Sequence, residues 1–107
     1  MFNPHSYTSA SDQQWHDLYI TDAALTAAAV INLLAATNAT DTPGYVYLRI
    51  VESDGFTAVH NILHAQLLKG GQTVESTASY ALNPGHRLQV KSSVAGVTFH
   101  ATVVTGV

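Results

Sequence analysis

The stretch Leu82–Val90 constrains the fold more than any other part of this sequence. It opens with a tight turn, because Pro84 holds φ at about −65° and Gly85 can adopt the positive φ that such a turn requires. The residues after the turn alternate, with His86, Leu88 and Val90 on one side and Arg87, Gln89 and Lys91 on the other. A period of two is typical of a β-strand whose two faces meet different surroundings. The stretch therefore predicts a strand that is entered through a turn.

Two further stretches carry equally clear strand patterns. Val97–Val104 is rich in β-branched residues and follows the turn-forming segment Ser92–Gly96. Tyr45–Val51 alternates and ends at a turn over Glu52–Gly55. In this strand we expect Val46, Leu48 and Ile50 to face the core, and Tyr45, Tyr47 and Arg49 to face outward.

Residues 22–36 fit either a helix or a strand. The segment is rich in Ala and Leu, and Asp22 is a suitable N-cap, so that intrinsic propensity favours a helix. Apolar residues also occupy both alternating sets, as in a strand buried on both faces. Because the clear neighbours are strands, we favour a turn over Asp22–Leu25 and a strand from about Ala27 to Thr37.

Residues 59–69 present the same ambiguity. Their apolar residues match helical spacing, and Gly70-Gly71 would end a helix there. As a strand, Ile62–Leu68 would form a hairpin with Gln72–Leu82 across the two glycines. We favour the hairpin.

Short strands at regular spacing, joined by turns, predict an all-β protein. A strand over Trp15–Thr21 would be the first. The expected architecture is a single antiparallel β-sandwich, of the jelly-roll or a related Greek-key type, with an extended N-terminal arm. We assign residues 1–16 to the arm and residues 17–107 to the β-sandwich domain.

Charged residues make up only 10% of the chain, whereas about 25% is usual in a soluble domain. A surface with so few charges suits a protein that works packed against other proteins. The formal charge is −3 and the four Lys and Arg residues are scattered, so no nucleic-acid partner is expected. The N-terminus lacks the features of a signal peptide and no apolar run is long enough to span a bilayer, so no membrane association is expected.

The residues that could support catalysis or metal binding do not converge in the sequence. On a helix, His60 and His64 would share one face at a spacing that can bind zinc, but the glutamate of a His-Glu-x-x-His motif is missing. On a strand they would lie on one face but too far apart to share a metal ion. His86 and His100, on strands expected to be neighbours, could face one another. The carboxylates fall mostly in turns, where Asp bonds locally to the backbone. We therefore expect a protein that is not an enzyme, with no catalytic residues, no metal and no cofactor.

Aromatic residues and Arg49 form the candidate binding surface. Aromatic residues and Arg are enriched at the centres of protein interfaces, and aromatic residues also form sugar-binding platforms. The outward stripe of the strand over Tyr45–Val51 could instead be stabilised by cross-strand pairs alone. The candidate protein-interface residues are Phe2, Tyr7, Trp15, Tyr45, Tyr47 and Arg49.

The order of these features resembles that of small β-sandwich structural proteins of tailed bacteriophages, over residues 18–107. Members often contain a Leu-x-Pro-Gly-Asp-x-Leu turn and strand, which corresponds here to Leu82–Leu88 with His86 in place of the acid. They close with a strand of the pattern x-Val-x-Phe-x-Ala, which corresponds here to Gly96–Ala101. The strand over Val46–Val51 and the segment Ile62-Leu63-His64 lie between them in the expected order.

The resemblance implies a non-enzymatic virion structural protein located in the virion and assembled in the host cytoplasm. The first expectation is a capsid decoration (cement) protein that stabilises the head. The alternatives are an accessory protein of the neck, tail or fibre base, or a carbohydrate-binding β-sandwich module. The implied partners are the major capsid protein or other virion proteins, and the implied oligomer is a homodimer or homotrimer.

Overall fold

The computed structural model describes residues 2–10, 13–21, 29–76 and 78–104. These residues form strands and connections, and none of them belongs to a helix long and apolar enough to cross a membrane. The strands are β1 (Phe2–Thr8), β2 (His16–Ile20), β3 (Ala29–Asn38), β4 (Gly44–Val51), β5 (Ala58–Leu68), β6 (Thr73–Ser76), β7 (Tyr80–Leu82), β8 (Arg87–Ser92) and β9 (Val97–Val104).

The strands form two antiparallel sheets, which confirms the predicted all-β sandwich. The five-stranded sheet has the order β1-β9-β3-β6, and β7 also pairs with β3. The four-stranded sheet has the order β2-β8-β4-β5. Since β6 and β7 pair with successive parts of β3, they occupy one strand position together. Counting outward from the β4–β5 turn, β4 pairs with β5, β3 with β6 and β7, β2 with β8, and β1 with β9. This nested pairing is the jelly-roll topology.

The core lies between the inward faces of the two sheets. The alternation predicted for β4 is confirmed, because Val46, Leu48 and Ile50 are buried in the core cluster. The other fully buried large side chains in this cluster come from both sheets and include Ile31, Leu34, Leu68, Leu82, Leu88, Val90, Val97, Phe99 and Val103. Burial of this apolar surface is the main force that stabilises the sandwich.

The turn that precedes β8 has the predicted form. The His86 N–H donates to the Asn83 carbonyl at 3.0 Å, and Gly85 has a φ of 85°. Proline and then a residue with positive φ at the two central positions define a type II turn. This turn also anchors the chain that follows β2, because the Gly85 N–H donates to the Thr21 carbonyl at 3.1 Å.

The predicted strand over Ala27–Thr37 corresponds to β3, so the strand interpretation is confirmed for its described residues. Propensity is overridden here because β3 pairs with β9 on one side and with β6 and β7 on the other, and its inward residues Ile31, Leu34 and Ala36 are buried in the core. The turn expected over Asp22–Leu25 lies outside the described residues.

The predicted hairpin across Gly70-Gly71 is wrong, although β5 is a strand. β5 pairs with β4 in one sheet, whereas β6 pairs with β3 in the other. The two glycines therefore connect the sheets, and they pass so close to the β3–β4 connection that a Cβ on Gly70 would lie 2.7 Å from the Thr40 carbonyl oxygen. The expected single strand over 72–82 is likewise divided into β6 and β7.

A buried asparagine joins the two sheets beside this connection. Asn38, at the end of β3, is fully buried, and its Nδ2 donates to the Leu68 carbonyl at 3.0 Å and the Thr42 carbonyl at 2.7 Å. Its Oδ1 accepts from the Thr40 N–H at 3.0 Å. A buried amide with these partners holds the ends of β3 and β5 together at little desolvation cost.

The N-terminal segment lies along the five-stranded sheet. β1 pairs with β9 from Phe2 opposite Val104 to Thr8 opposite Thr98. Tyr7 stacks on His16 of β2 with ring centroids 4.7 Å apart, so the edges of the two sheets are in contact. The division into an arm over 1–16 and a domain over 17–107 stays a prediction, but much of that arm is built into the sandwich as a strand.

Candidate functional site

The outward faces of β4 and β8 meet in the middle of the four-stranded sheet. Because these strands pair in register, Tyr47 lies opposite Lys91 and Arg49 lies opposite Gln89. The alternation of both strands, with core residues on the other side, sends these four side chains to the same outer face. The result is a continuous surface of aromatic, cationic and amide groups.

Trp15, just before β2, lies over this surface, and two cationic side chains contact its ring. The Arg49 Cζ lies 3.8 Å from the centroid of the Trp15 ring, and the Lys91 Nζ lies 4.7 Å from it. Lys91 also lies 4.5 Å from the ring centroid of Tyr47, whose ring meets that of Trp15 edge-on at 6.0 Å. Cation–π and edge-to-face contacts of this kind each contribute about 0.5–1.5 kcal/mol. We call Trp15, Tyr47, Arg49 and Lys91 the Trp15 patch.

A chain of hydrogen bonds extends from the patch towards the β4–β5 turn. The Arg49 Nε donates to the Gln89 Oε1 at 3.0 Å, and the Gln89 Nε2 donates to the Asp17 Oδ1 at 3.0 Å. The other Asp17 oxygen accepts from the Arg87 Nη1 at 3.1 Å. Gln89 is only 6% exposed although it faces outward, since these partners cover it. This series of hydrogen bonds fixes the Arg49 side chain over the Trp15 ring.

The patch concentrates positive charge on a chain that is negative overall. Of the four Lys and Arg residues in the sequence, Arg49, Arg87 and Lys91 lie on this face. Asp17 pairs with Arg87, whereas within the described ranges neither Arg49 nor Lys91 is paired with a carboxylate. Partial burial lowers the pKa of the Arg49 guanidinium from its usual value, and the group remains a cation at neutral pH.

The structure brings together three of the six predicted interface residues. Trp15, Tyr47 and Arg49 belong to the patch, and Tyr45 lies beside it on β4 and is 48% exposed. Tyr7 is on the far side of β2, where it stacks on His16 and packs against the core. The backbone of Phe2 pairs with β9 in the same distant sheet.

The predicted arrangement of His60 and His64 on one face is wrong. His60 contacts Tyr80 of the five-stranded sheet, with centroids 5.5 Å apart, whereas His64 contacts Tyr47 on the outer face at 5.4 Å. Between them β5 contains an extra residue, Ile62, relative to β4, so the alternation reverses. Within the described residues no group of three or more His, Cys, Asp or Glu side chains is arranged to hold a metal ion.

His86 and His100, which could have faced one another on neighbouring strands, do not do so. His86 precedes β8 in the four-stranded sheet, whereas His100 lies on β9 in the other sheet. His86 lines an open polar depression with Glu52, Ser53, Asp54 and Pro84. The Asp54 carboxylate there already accepts hydrogen bonds from Phe56 and Thr57, so it is occupied by its own turn.

Sequence reasoning missed Lys91, Gln89 and Asp17 as members of the site. The outward alternation of Gln89 and Lys91 on β8 is visible in the sequence, but nothing in it shows that β8 pairs with β4. The outward position of Asp17 is not visible in the sequence, because a bulge in β2 between Asp17 and Tyr19 interrupts the alternation.

Comparisons with known proteins show that this chain is similar in fold to part of a chain in a virus structure. No family model matches the chain, and no curated protein matches it. Among solved structures, it is similar to a chain in the structure of infectious bursal disease virus, Gx strain, with a TM-score of 0.51 and 12% sequence identity. The match covers 96% of this chain and 31% of the viral chain. This chain therefore has the fold of one part of a longer viral protein chain.

Proposed function

We propose that this chain is a non-enzymatic structural protein of a tailed-bacteriophage virion, and specifically a capsid decoration protein that stabilises the head. The observation that carries the proposal is the similarity of fold, along 96% of the chain, to part of a chain in a virus structure. The resemblance of the Leu82–Leu88 and Gly96–Ala101 motifs to phage proteins directs the proposal to tailed phages.

The composition of the surface supports a role in assembly. The chain is only 10% charged, and its outer face presents Trp, Tyr and Arg side chains, the residue types that dominate binding energy at protein interfaces. The proposed partners are the major capsid protein or another virion protein. By analogy with other virion proteins, we also propose a homodimer or homotrimer, which light scattering combined with size-exclusion chromatography would detect.

The test is the location of the chain in purified particles. An antibody raised against the recombinant chain would be used on gradient-purified virions and on separated heads and tails. Detection in heads at a fixed ratio to the major capsid protein is the expected result. Detection in the tail fraction alone would favour the alternative of a neck, tail or fibre-base protein. Absence from all particle fractions would contradict a virion role.

A carbohydrate-binding module is the second candidate function, favoured by the exposed Tyr45 beside Trp15 and Tyr47. Sugar platforms need an open aromatic face, whereas the guanidinium of Arg49 lies 3.8 Å over the Trp15 ring. Titration of the chain with neutral oligosaccharides, followed by Trp15 fluorescence, would test this candidate. A saturable change in emission would support it.

A further inference from the structure

We infer that the Trp15 patch is a docking site for a carboxylate-rich protein surface. The inference rests on the proposed function, because it names the chemistry of the virion partner that this face would bind. The partner is defined by Asp and Glu side chains that reach Arg49 and Lys91 while apolar atoms cover Trp15 and Tyr47.

The first argument is an uncompensated pair of cations. Arg49 and Lys91 both lie over the Trp15 ring, at 3.8 and 4.7 Å from its centroid. Two like charges held near the same ring repel one another, and among the described residues no carboxylate forms an ion pair with either of them. A carboxylate from a partner would remove this repulsion and form charge-assisted hydrogen bonds.

The second argument is that donors remain for such a carboxylate. Arg49 uses its Nε on Gln89 and its Nη2 on the Gly55 carbonyl at 3.5 Å, which leaves its Nη1. The Lys91 ammonium contacts the two aromatic rings and, in the described part of the chain, donates to no carboxylate or carbonyl oxygen. Because Gln89 and Asp17 hold Arg49 in place, little side-chain freedom would be lost on binding.

The third argument is the apolar surface around the patch. The large hydrophobic residues that are exposed in the described ranges all belong to the four-stranded sheet or its β4–β5 turn, namely Ile20, Tyr45, Phe56, Val59 and Leu67. Tyr45 and Leu67 lie directly opposite one another on β4 and β5. Exposed apolar side chains around an aromatic and arginine centre are typical of a protein-binding surface.

Charge complementarity also decides against a second copy of this chain on the same face. A twofold contact would place Arg49 and Lys91 of one copy against the same cations of the other, which is unfavourable. Nucleic acid is a poor fit because a few cations on one sheet neutralise few phosphates. An acidic protein surface satisfies both the cations and the aromatic rings.

The test uses Trp15, the single tryptophan of the chain, as a reporter inside the patch. The full-length chain is titrated with poly-L-glutamate at low salt, and with poly-L-glutamine as the uncharged probe. We expect a saturable change in Trp15 emission with polyglutamate alone, weakened by added salt. Lys91→Gln should raise the Kd about tenfold, since a charge-assisted hydrogen bond is lost. The matched control is Lys69→Gln, which removes the exposed lysine between β5 and β6 and should leave the Kd unchanged.

Several outcomes would overturn the inference. They are the absence of a saturable change with polyglutamate, an equal response to polyglutamine, and equal losses from Lys91→Gln and Lys69→Gln. Arg49→Lys provides a second variant in which the charge is kept, and binding should be retained in part. If the protein is found in virions but does not bind polyglutamate, the docking inference is refuted and the proposed function stands. A chain that binds polyglutamate but is absent from virions would refute the proposed function.

Discussion

The outer faces of the two sheets differ sharply although they enclose the same core. On the five-stranded sheet, Thr8, Thr98, Thr37 and Thr73 lie in register across four adjacent strands. Their hydroxyl groups bond in pairs, Thr8 to Thr98 at 3.2 Å and Thr37 to Thr73 at 2.9 Å. The four-stranded sheet instead presents the Trp15 patch and the exposed apolar residues around it.

This difference indicates which side of the molecule would gain more from contact with the proposed partner. Small hydroxyl side chains are satisfied both by one another and by water, so a threonine face gains little when a partner covers it. Aromatic rings and partly desolvated cations gain more from being covered, because apolar area and charge pairing both contribute. In the proposed assembly, we therefore call the outer face of the four-stranded sheet the contact side and that of the five-stranded sheet the solvent side.

The sheet edges support contacts through faces rather than through added strands. β5 departs from regular register with β4 at several points, and β1 contains Pro4, which lacks an N–H. The opposite edge of the five-stranded sheet is made of the short strands β6 and β7. Bulges, proline and short strands are the usual protections against edge-to-edge pairing.

The largest expected effect tests whether the two sheets share one cooperative core. Phe99→Ala removes a fully buried ring from the inner side of β9 and should lower the free energy of unfolding by about 3–5 kcal/mol. Denaturation would be followed by circular dichroism and by Trp15 fluorescence, which reports on the other sheet. Both transitions should shift together, and an unchanged Trp15 transition would show that the sheets unfold separately. His100→Ala, on the exposed side of the same strand, is the control.

The next effect concerns the contact side. Trp15→Ala should lower the free energy of unfolding by about 1–2 kcal/mol, because its contacts with Arg49, Lys91 and Tyr47 are lost together. Thermal unfolding by circular dichroism would measure the change. The control is Tyr45→Thr, which alters an exposed aromatic residue outside these contacts, and an equal loss in this variant would argue that Trp15 has no special structural role.

A smaller effect is expected on the solvent side. Thr37→Val combined with Thr98→Val replaces hydroxyl groups by methyl groups at two strand positions and should change the free energy of unfolding by no more than about 0.5 kcal/mol each. The Kd for polyglutamate should stay the same. A marked weakening of that Kd would refute the division into a contact side and a solvent side.

The smallest effect is a pH dependence at the β4–β5 turn, next to the contact side. Hydrogen bonds from the Thr57 hydroxyl, the Thr57 N–H and the Phe56 N–H lower the pKa of Asp54. The carboxylate is therefore stabilising above its unfolded pKa of about 3.9, and the stabilisation disappears as the pH falls through the lower folded value. Asp54→Asn should be less stable than the wild type at neutral pH, and the difference should vanish in acid. Thr57→Val should reduce this pH dependence.

The sequence pattern predicted most strands because each depends on local alternation. β2, β4, β8 and β9 match their predicted segments closely, and β3 is a strand despite its helical propensity. The pairing of β5 could not be predicted in the same way. Gly70-Gly71 is equally suited to a hairpin and to a passage between sheets, and only the packing of the whole sandwich decides between them.

The candidate site was predictable in part for the same reason. The outward positions of Tyr47 and Arg49 follow from the alternation of one strand, and the structure places both there. Their neighbours Lys91 and Gln89 follow from the register of two strands 40 or more residues apart in sequence, for which no local signal exists. The reversal between His60 and His64 depends on one extra residue in β5, which periodicity alone does not reveal.

The jelly-roll pairing also sets the order in which the chain can be completed during synthesis. β4 and β5 are neighbours in sequence, so their hairpin can form early, whereas β1 pairs with β9 and must wait until β9 has been made. Each successive pair closes a longer loop, and topologies dominated by such distant pairs fold slowly. β1 and β9 are therefore the last of the described strands to pair.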